Sequence, residues 1–258
     1  MKQKVCLITG GAKRIGKEIC IHLAKDGWNV AIHYNKSIND AKKVEQEIKK
    51  YGIKSMSIQS TFPQKNDKGY EQVIGEVENH LGSINLLVNN AARFEYDTPT
   101  NISTKNLRMH FDENFIAPVM LTKCLFNTCK KRKKNHLTGT VINILDQKLW
   151  NPNPDFFSYT ISKAALNEAT HLMAREMAPI MRVVSISPGI TLKSSHQNKE
   201  NFKSSHAKTV LGKSSSPSDI AAAVVWLSKN ESITGINLTV DGGQHLLCSS
   251  RDVMFTNS

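Results

Sequence analysis

A chain of 258 residues with 40% hydrophobic and 22% charged side chains is long enough to bury the core of one α/β domain and is ordinary in composition for a globular protein. No apolar run reaches the roughly 18 residues that cross a bilayer, no signal-like segment opens the sequence, and the five scattered cysteines lack Cys-x-x-Cys spacing. Membrane association, a disulfide frame and a metal site are therefore not expected, and a cytoplasmic location is. The formal charge of +12 raises nucleic acid as a partner, yet no DNA-binding motif or aromatic-rich basic groove accompanies it, so attraction for anionic small ligands is the simpler reading.

In chain order, residues 4–8 read as a short buried strand, followed by Thr9-Gly10-Gly11-Ala12-Lys13-Arg14-Ile15-Gly16 and an amphipathic helix to about Asp26. A second strand spans 29–34, a helix 39–51, a third strand 54–60, a polar helix 67–81 and a fourth strand 84–88 that runs into Asn89-Asn90-Ala91-Ala92. One long helix is predicted over 104–130, and the basic run Lys130, Lys131, Arg132, Lys133, Lys134 at its end suits the negative pole of a helix dipole. A fifth strand covers 140–145, a helix carrying Tyr159 runs to about Ala178, a sixth strand covers 181–186, a helix 217–228 and a last strand 236–240. Such alternation forces a doubly wound parallel sheet of about seven strands, a single Rossmann-type domain over 1–258. The polar stretch 190–216 is the expected substrate lid.

Tyr159 and Lys163 stand four residues apart in a helical segment and so emerge from one face. An ammonium beside a phenol favours the phenolate, while Asp146, at the end of the fifth strand, pushes the other way. With both present the phenol is expected to keep its proton until a substrate atom takes it. A Tyr-x-x-x-Lys pair also arises by chance in helices, and it gains weight here from the glycine turn, in which Gly10 and Gly16 let the backbone approach a pyrophosphate at a helix N-terminus. The second strand ends in His33-Tyr34-Asn35-Lys36-Ser37, with a cation and a hydroxyl and no carboxylate. That favours NADPH over NADH; a solvated lysine in a turn is the alternative reading of Lys36.

Taken together, Thr9-Gly10-x-x-x-Arg14-x-Gly16, Asn89-Asn90-Ala91, Asn114, Tyr159-x-x-x-Lys163, Pro188-Gly189 and Asp241-Gly242-Gly243 resemble the short-chain dehydrogenase/reductase family over nearly the whole chain. Within it, Arg14, the His33–Ser37 loop, Asp146 in place of a serine, and the segment Asn89-Asn90-Ala91-Ala92-Arg93-Phe94 resemble pteridine reductases and dihydromonapterin reductases.

This resemblance implies a homotetramer that reduces a dihydropterin with NADPH. It implies cofactor contacts from Gly10, Arg14, Ile15 and Gly16; from Tyr34, Asn35, Lys36 and Ser37; from Thr61 and Phe62; from Asn90, Ala91 and Ala92; and from Pro188, Gly189 and Ile190, with Tyr159 and Lys163. The pterin would lie between the nicotinamide and Phe94, touched by Arg14, Asp146, Tyr159 and Leu192, while Asn114 would hold a relay water. Two positions depart from the pattern: Ala92 stands where these reductases tend to have serine, and Thr61 where the family has an aspartate near the adenine.

Physical chemistry favours the same substrate class at Asp146, because an ionised carboxylate only accepts hydrogen bonds. It would repel a ketone oxygen and welcome the N–H groups of a pterin. A 3-oxoacyl thioester or other carbonyl reductase is the enzymatic alternative, and a non-catalytic NADPH sensor the alternative from another class.

Overall fold

The computed structural model describes residues 4–132, 137–193 and 197–255. Seven strands, β1 Val5–Ile8, β2 Asn29–Tyr34, β3 Ser55–Gln59, β4 Ile84–Asn89, β5 Gly139–Ile144, β6 Met181–Pro188 and β7 Asn237–Val240, form one sheet in the order β3-β2-β1-β4-β5-β6-β7. Every neighbouring pair is parallel. Each strand therefore needs a crossover, which the helices supply on both faces, and strands buried on both sides read as unbroken apolar runs.

The two faces are filled separately. Cys6, Ile8, Val30, Ile32, Val88 and Ile144 point into one core with α1 (Arg14–Lys25), α2 (Ile38–Lys49) and α8 (Pro217–Lys229). Their strand neighbours Val5, Leu7, Ala31, Leu87 and Val141 point into the other, under α3 (Asp67–Leu81), α5 (Ala117–Lys131) and α6 (Phe157–Met177). Strand order reverses between β1 and β4, whose carboxyl ends flank a crevice where ligands of such sheets bind.

The helix predicted over 104–130 is interrupted. It runs as α4 (Thr104–Phe111), a π-helical turn at Asp112–Ile116, and α5. A π-turn inserts one residue without changing the apolar pattern enough to be seen, and such turns collect at functional sites; this one carries Asn114. The stretch 190–216, the expected substrate lid, contains a helix, α7 (Lys199–Ala207), capped by Asn198 accepting from the Asn201 amide. Beyond β7 the chain makes two short 3-10 turns, Gln244–Leu246 and Val253–Phe255, the second of which packs on α7. Lys133 and Lys134 of the basic run fall outside the described residues.

Candidate active site

At the crevice, tight backbone packing fixes the glycine turn. Gly10 adopts φ +63, and a Cβ on Gly16 would stand 2.2 Å from the Gly10 carbonyl oxygen and 2.6 Å from Asn90 Nδ2, so only glycine fits. Thr9 Oγ1 accepts the amides of Asn90 (2.9 Å) and Ala91 (3.0 Å), and Asn90 Nδ2 donates back to the Thr9 carbonyl at 2.9 Å. The ends of β1 and β4 are thus sewn together at the mouth of the site.

His33, buried at the end of β2, holds the other side of the turn. Its Nδ1 accepts from the Gly10 amide at 3.1 Å and its Nε2 lies 3.1 Å from the Ser60 carbonyl. One nitrogen must accept and the other donate, which selects the neutral ring. Burial lowers its pKa to about 4, against the Ser60 carbonyl, which favours the charged form. Its ring stacks on Phe62 with centroids 4.6 Å apart.

A cleft of about 730 Å3 opens from this turn to the carboxyl ends of β5 and β6, within the size range of small-molecule sites. Gly10, Arg14, Ile15 and Gly16 line one end, with Asn35 and Phe62 beside them. Asn90, Ala91 and Ala92 form the middle, and Pro188, Gly189, Ile190 and Leu192 the far side. Phe94, Asp146, Tyr159 and Lys163 converge at its base.

Four expected cofactor residues are off this wall. Tyr34 is buried in the core beside it, Lys36 is exposed and Ser37 half-exposed just past Asn35, and the Thr61 hydroxyl donates to Asn35 Oδ1 at 3.0 Å on the outer surface. Asn114 is not on the wall either. It is fully buried, with its amide donating to the Arg93 carbonyl and Ser162 Oγ (both 3.0 Å) and its oxygen accepting the Arg93 amide at 2.7 Å. These bonds tie the Phe94 loop to α6 through the side chain expected to hold a relay water.

Helix α6 presents Tyr159 and Lys163 as their spacing requires. Phe156, the residue before it, is a buried non-glycine in the left-handed region (φ 55, ψ 48). No side chain of its own caps the helix; Asp97 does, its Oδ1 accepting the Ser158 amide at 2.9 Å and its Oδ2 accepting from Ser158 Oγ. A carboxylate at a helix N-terminus is stabilised by the dipole, and this one fixes the rotation of the turn that bears Tyr159.

The Tyr159 hydroxyl donates to Asp146 Oδ2 at 2.9 Å. Burial, and then the Asp146 charge, push the phenol well above its ordinary pKa. Burial also raises the Asp146 carboxyl, partly opposed by hydrogen bonds from the Lys148 amide and the phenol. Lys163 turns its ammonium to the Ile144 carbonyl at 2.7 Å, sits 5.8 Å from the phenol ring centre, and is brought by burial to about 8. Carboxylate and burial therefore outweigh the ammonium, and the phenol holds its proton at rest. Phe94 stands beside this pair, 41% exposed, stacked on Phe156 at 4.2 Å and meeting Tyr159 edge-on at 4.8 Å.

The glycine cradle, the first-turn amides of α1 and the absence of an acidic group at the end of β2 fit a dinucleotide bearing an extra phosphate. Arg14, itself in the left-handed region (φ 53), donates to the Lys193 carbonyl at 3.1 Å and so bridges the turn to the segment after β6. Sequence reasoning missed His33 as the support of Gly10, Asp97 as the cap of α6, and the carboxyl-terminal residues Asp252, Val253 and Met254, which line the cleft. A buried-strand histidine next to a glycine turn was the one available signal.

Two solved structures of FolM alternative dihydrofolate reductase 1 complexed with NADP resemble the chain. That from Brucella canis is 34% identical over 96% of this chain and 97% of its own, with a TM-score of 0.86. That from Brucella suis is 35% identical over 96% and 98%, with a TM-score of 0.87. The 3-oxoacyl-acyl-carrier-protein reductase FabG of Staphylococcus epidermidis is 30% identical over 94% of this chain and 99% of its own length. Residues 4–204 match the family described as short chain dehydrogenase. Because that match runs from β1 past β6 and takes in the glycine turn, Asp146 and the Tyr159–Lys163 pair alike, the chain belongs to the short chain dehydrogenase family of oxidoreductases.

Proposed function

We propose that the protein is an NADPH-dependent pterin reductase that converts a dihydropterin to its tetrahydro form. The observation that carries this reading is the 2.9 Å hydrogen bond from the Tyr159 hydroxyl to Asp146 Oδ2. It leaves a protonated phenol and a buried carboxylate side by side, a donor and an acceptor matched to a ring that displays both N–H groups and basic nitrogens. The half-exposed face of Phe94 offers a flat heterocycle a stacking partner. The NADP-bound reductases that resemble the chain support the cofactor, as does the cleft lined by Asn35, with Lys36 exposed and Ser37 half-exposed just past it in sequence and proposed to receive the extra phosphate.

When bound, NADPH supplies a hydride to a ring carbon, and the proton work falls to the chain. Tyr159 gives its proton to the neighbouring ring nitrogen. Asp146, released from the phenol, accepts an N–H of the substrate and orients the ring. Lys163, with a pKa near 8, keeps positive charge beside the phenol as it ionises and is suited to restore its proton. Asn114, bonded to Arg93 and Ser162, keeps the Phe94 loop in register with α6. Arg14 ties the glycine turn to the Lys193 carbonyl, at the start of the proposed lid.

Reduction of a 3-oxoacyl thioester is the second reading, favoured by the resemblance to FabG. Against it stands Asp146, an acceptor placed where a ketone oxygen would need a donor. Exposed apolar side chains on α6 and α8, Leu172 (70%) and Trp226 (49%), are in keeping with a homotetramer. Light scattering would measure that.

NADPH oxidation with dihydrobiopterin, dihydromonapterin, dihydrofolate and acetoacetyl thioester separates the readings. Turnover of a dihydropterin, with NADH much the weaker cofactor, is expected. Turnover of the thioester alone would overturn the pterin reading.

A further inference from the structure

Among the charged residues that line the cleft outside the Tyr159–Asp146–Lys163 set, two form a buried pair beside it: Lys148, in the 3-10 turn just after Asp146, and Asp252, close to the carboxyl terminus. Their ion pair measures 3.0 Å with side chains only 4% and 15% exposed. A buried pair of this kind is weak evidence of stability, because its desolvation offsets its attraction. Its geometry is more informative.

Lys148 serves two carboxylates with two different groups. Its backbone amide donates to Asp146 Oδ1 at 2.9 Å, while its ammonium turns away to Asp252 Oδ2. That ammonium also lies over the Phe156 ring at 5.3 Å. Asp252 is held in turn: its amide donates to Asp155 Oδ2 at 2.7 Å, and its Oδ1 accepts the Met254 amide at 3.1 Å. Asp155 is itself buried and pins Arg251 Nε at 2.8 Å. Farther along, α7 grips the same strap, Ser205 Oγ donating to the Val253 carbonyl (3.0 Å) and Asn201 Nδ2 to that of Met254 (3.1 Å). The carboxyl-terminal strap is therefore fixed at both ends, and among the three residues it brings to the cleft, Asp252, Val253 and Met254, the one charge is the Asp252 carboxylate.

We infer that Asp252 is a positioning residue that holds the Lys148 ammonium off Asp146, leaving the Asp146 carboxylate free to accept from the Tyr159 phenol and then from the substrate. Without Asp252, a buried ammonium on this turn, whose charge already acts on Asp146, is free to swing to that carboxylate, and a salt bridge there would withdraw the acceptor from the substrate. This rests on the proposed role of Asp146 as acceptor of a substrate N–H. It goes further in assigning the strap a specificity role: the pocket selects substrates rich in N–H donors only while the strap is docked.

Three variants test this. Asp252→Asn frees the ammonium, and is expected to raise KM for the accepted substrate about tenfold, the scale of one lost charged hydrogen bond, with a smaller change in kcat. Asp252→Glu keeps the pair and should stay within about threefold of the parent. The double variant Lys148→Met/Asp252→Asn removes both charges and should recover most of the loss, which a purely structural strap would not do.

A second readout needs no substrate. Tyr159 is faced by Asp146, Lys163, Lys148 and Asp252, and its ionisation can be followed as the ultraviolet difference between the parent and Tyr159→Phe. Asp252→Asn should lower the pH at which the phenol ionises, and the double variant should return it. An unchanged KM and phenol titration in Asp252→Asn, or a double variant worse than the single one, overturns the inference. Failure of the parent to reduce any dihydropterin overturns the substrate reading alone, since the phenol titration still judges the strap.

Discussion

Tyr159 and Asp146, 13 residues apart in sequence, meet at 2.9 Å as hydroxyl donor and carboxylate acceptor, so the proposed proton donor is held by an anion rather than by the lysine of its own helix. Replacing Asp146 with serine removes the charge that, after burial, does most to raise the phenol. The donor form is the protonated one, so, beyond the loss of the Lys163 proton near 8, activity falls again as pH rises through the phenol pKa. In Asp146→Ser that alkaline limb should move to lower pH, and kcat/KM for a dihydropterin should drop by about a hundredfold, the loss of one buried charged hydrogen bond at roughly 3 kcal/mol. A pH profile of NADPH oxidation measures both. An alkaline limb that stays in place would separate Asp146 from the phenol.

Gly16→Ala tests the cofactor cradle. The added Cβ would lie 2.2 Å from a backbone oxygen, a contact that no rotamer relieves, so β1 and α1 must move apart. NADPH binding, followed by its fluorescence, should weaken at least about tenfold, while the melting temperature falls modestly, as expected for about 1–3 kcal/mol of overpacking. Near-normal binding would show that the turn does not approach the phosphates.

Much of this was legible in the residues. The alternation of apolar strands and amphipathic helices is dictated by a sheet covered on both faces, and the four-residue spacing of Tyr159 and Lys163 is a property of any helix. Gly10 and Gly16 could be read because a backbone that close tolerates nothing else. What escaped depends on contacts across the fold. Asp97 caps α6 from 61 residues away and Asp252 reaches Lys148 across 104, and in sequence both look like surface acids. Thr61 is expected at the cofactor from its position after β3, but its bond to Asn35, a residue of the cleft lining, depends on a contact between two loops that spacing does not reveal. The π-turn at Asp112–Ile116 leaves no trace in the apolar period, so the full burial of Asn114 beneath the cleft wall could not be read from the residues.

His33 ties acid stability to cofactor binding. Its folded pKa of about 4 lies below the ordinary 6.5, so the unfolded chain binds the extra proton between those values and stability rises with pH across that window. Acidification from pH 6.5 to 4 should remove up to about 3 kcal/mol through this residue. His33→Phe should abolish that component of the melting profile. It should also leave the Gly10 amide without its acceptor and weaken NADPH binding by about tenfold. Identical acid profiles for the two proteins would count against a neutral His33 as the brace of the turn.

Lys163 makes the same trade at alkaline pH. Burial holds its folded pKa near 8, below the ordinary 10.5, so the unfolded state again carries more protons between the two values and stability rises with pH through that range. Below pH 8 the folded protein bears the full penalty of a buried ammonium, about 3 kcal/mol. Lys163→Met retains the aliphatic stem and removes the charge. It should therefore be inactive yet more stable than the parent at pH 7, and the advantage should shrink steadily between about pH 8 and 10.5 as the parent lysine loses its proton. Denaturant melts of both proteins at a series of pH values measure this. A variant less stable than the parent at pH 7 would mean that the bond from Lys163 to the Ile144 carbonyl outweighs the burial of its charge, and that the site is not held together at the expense of stability.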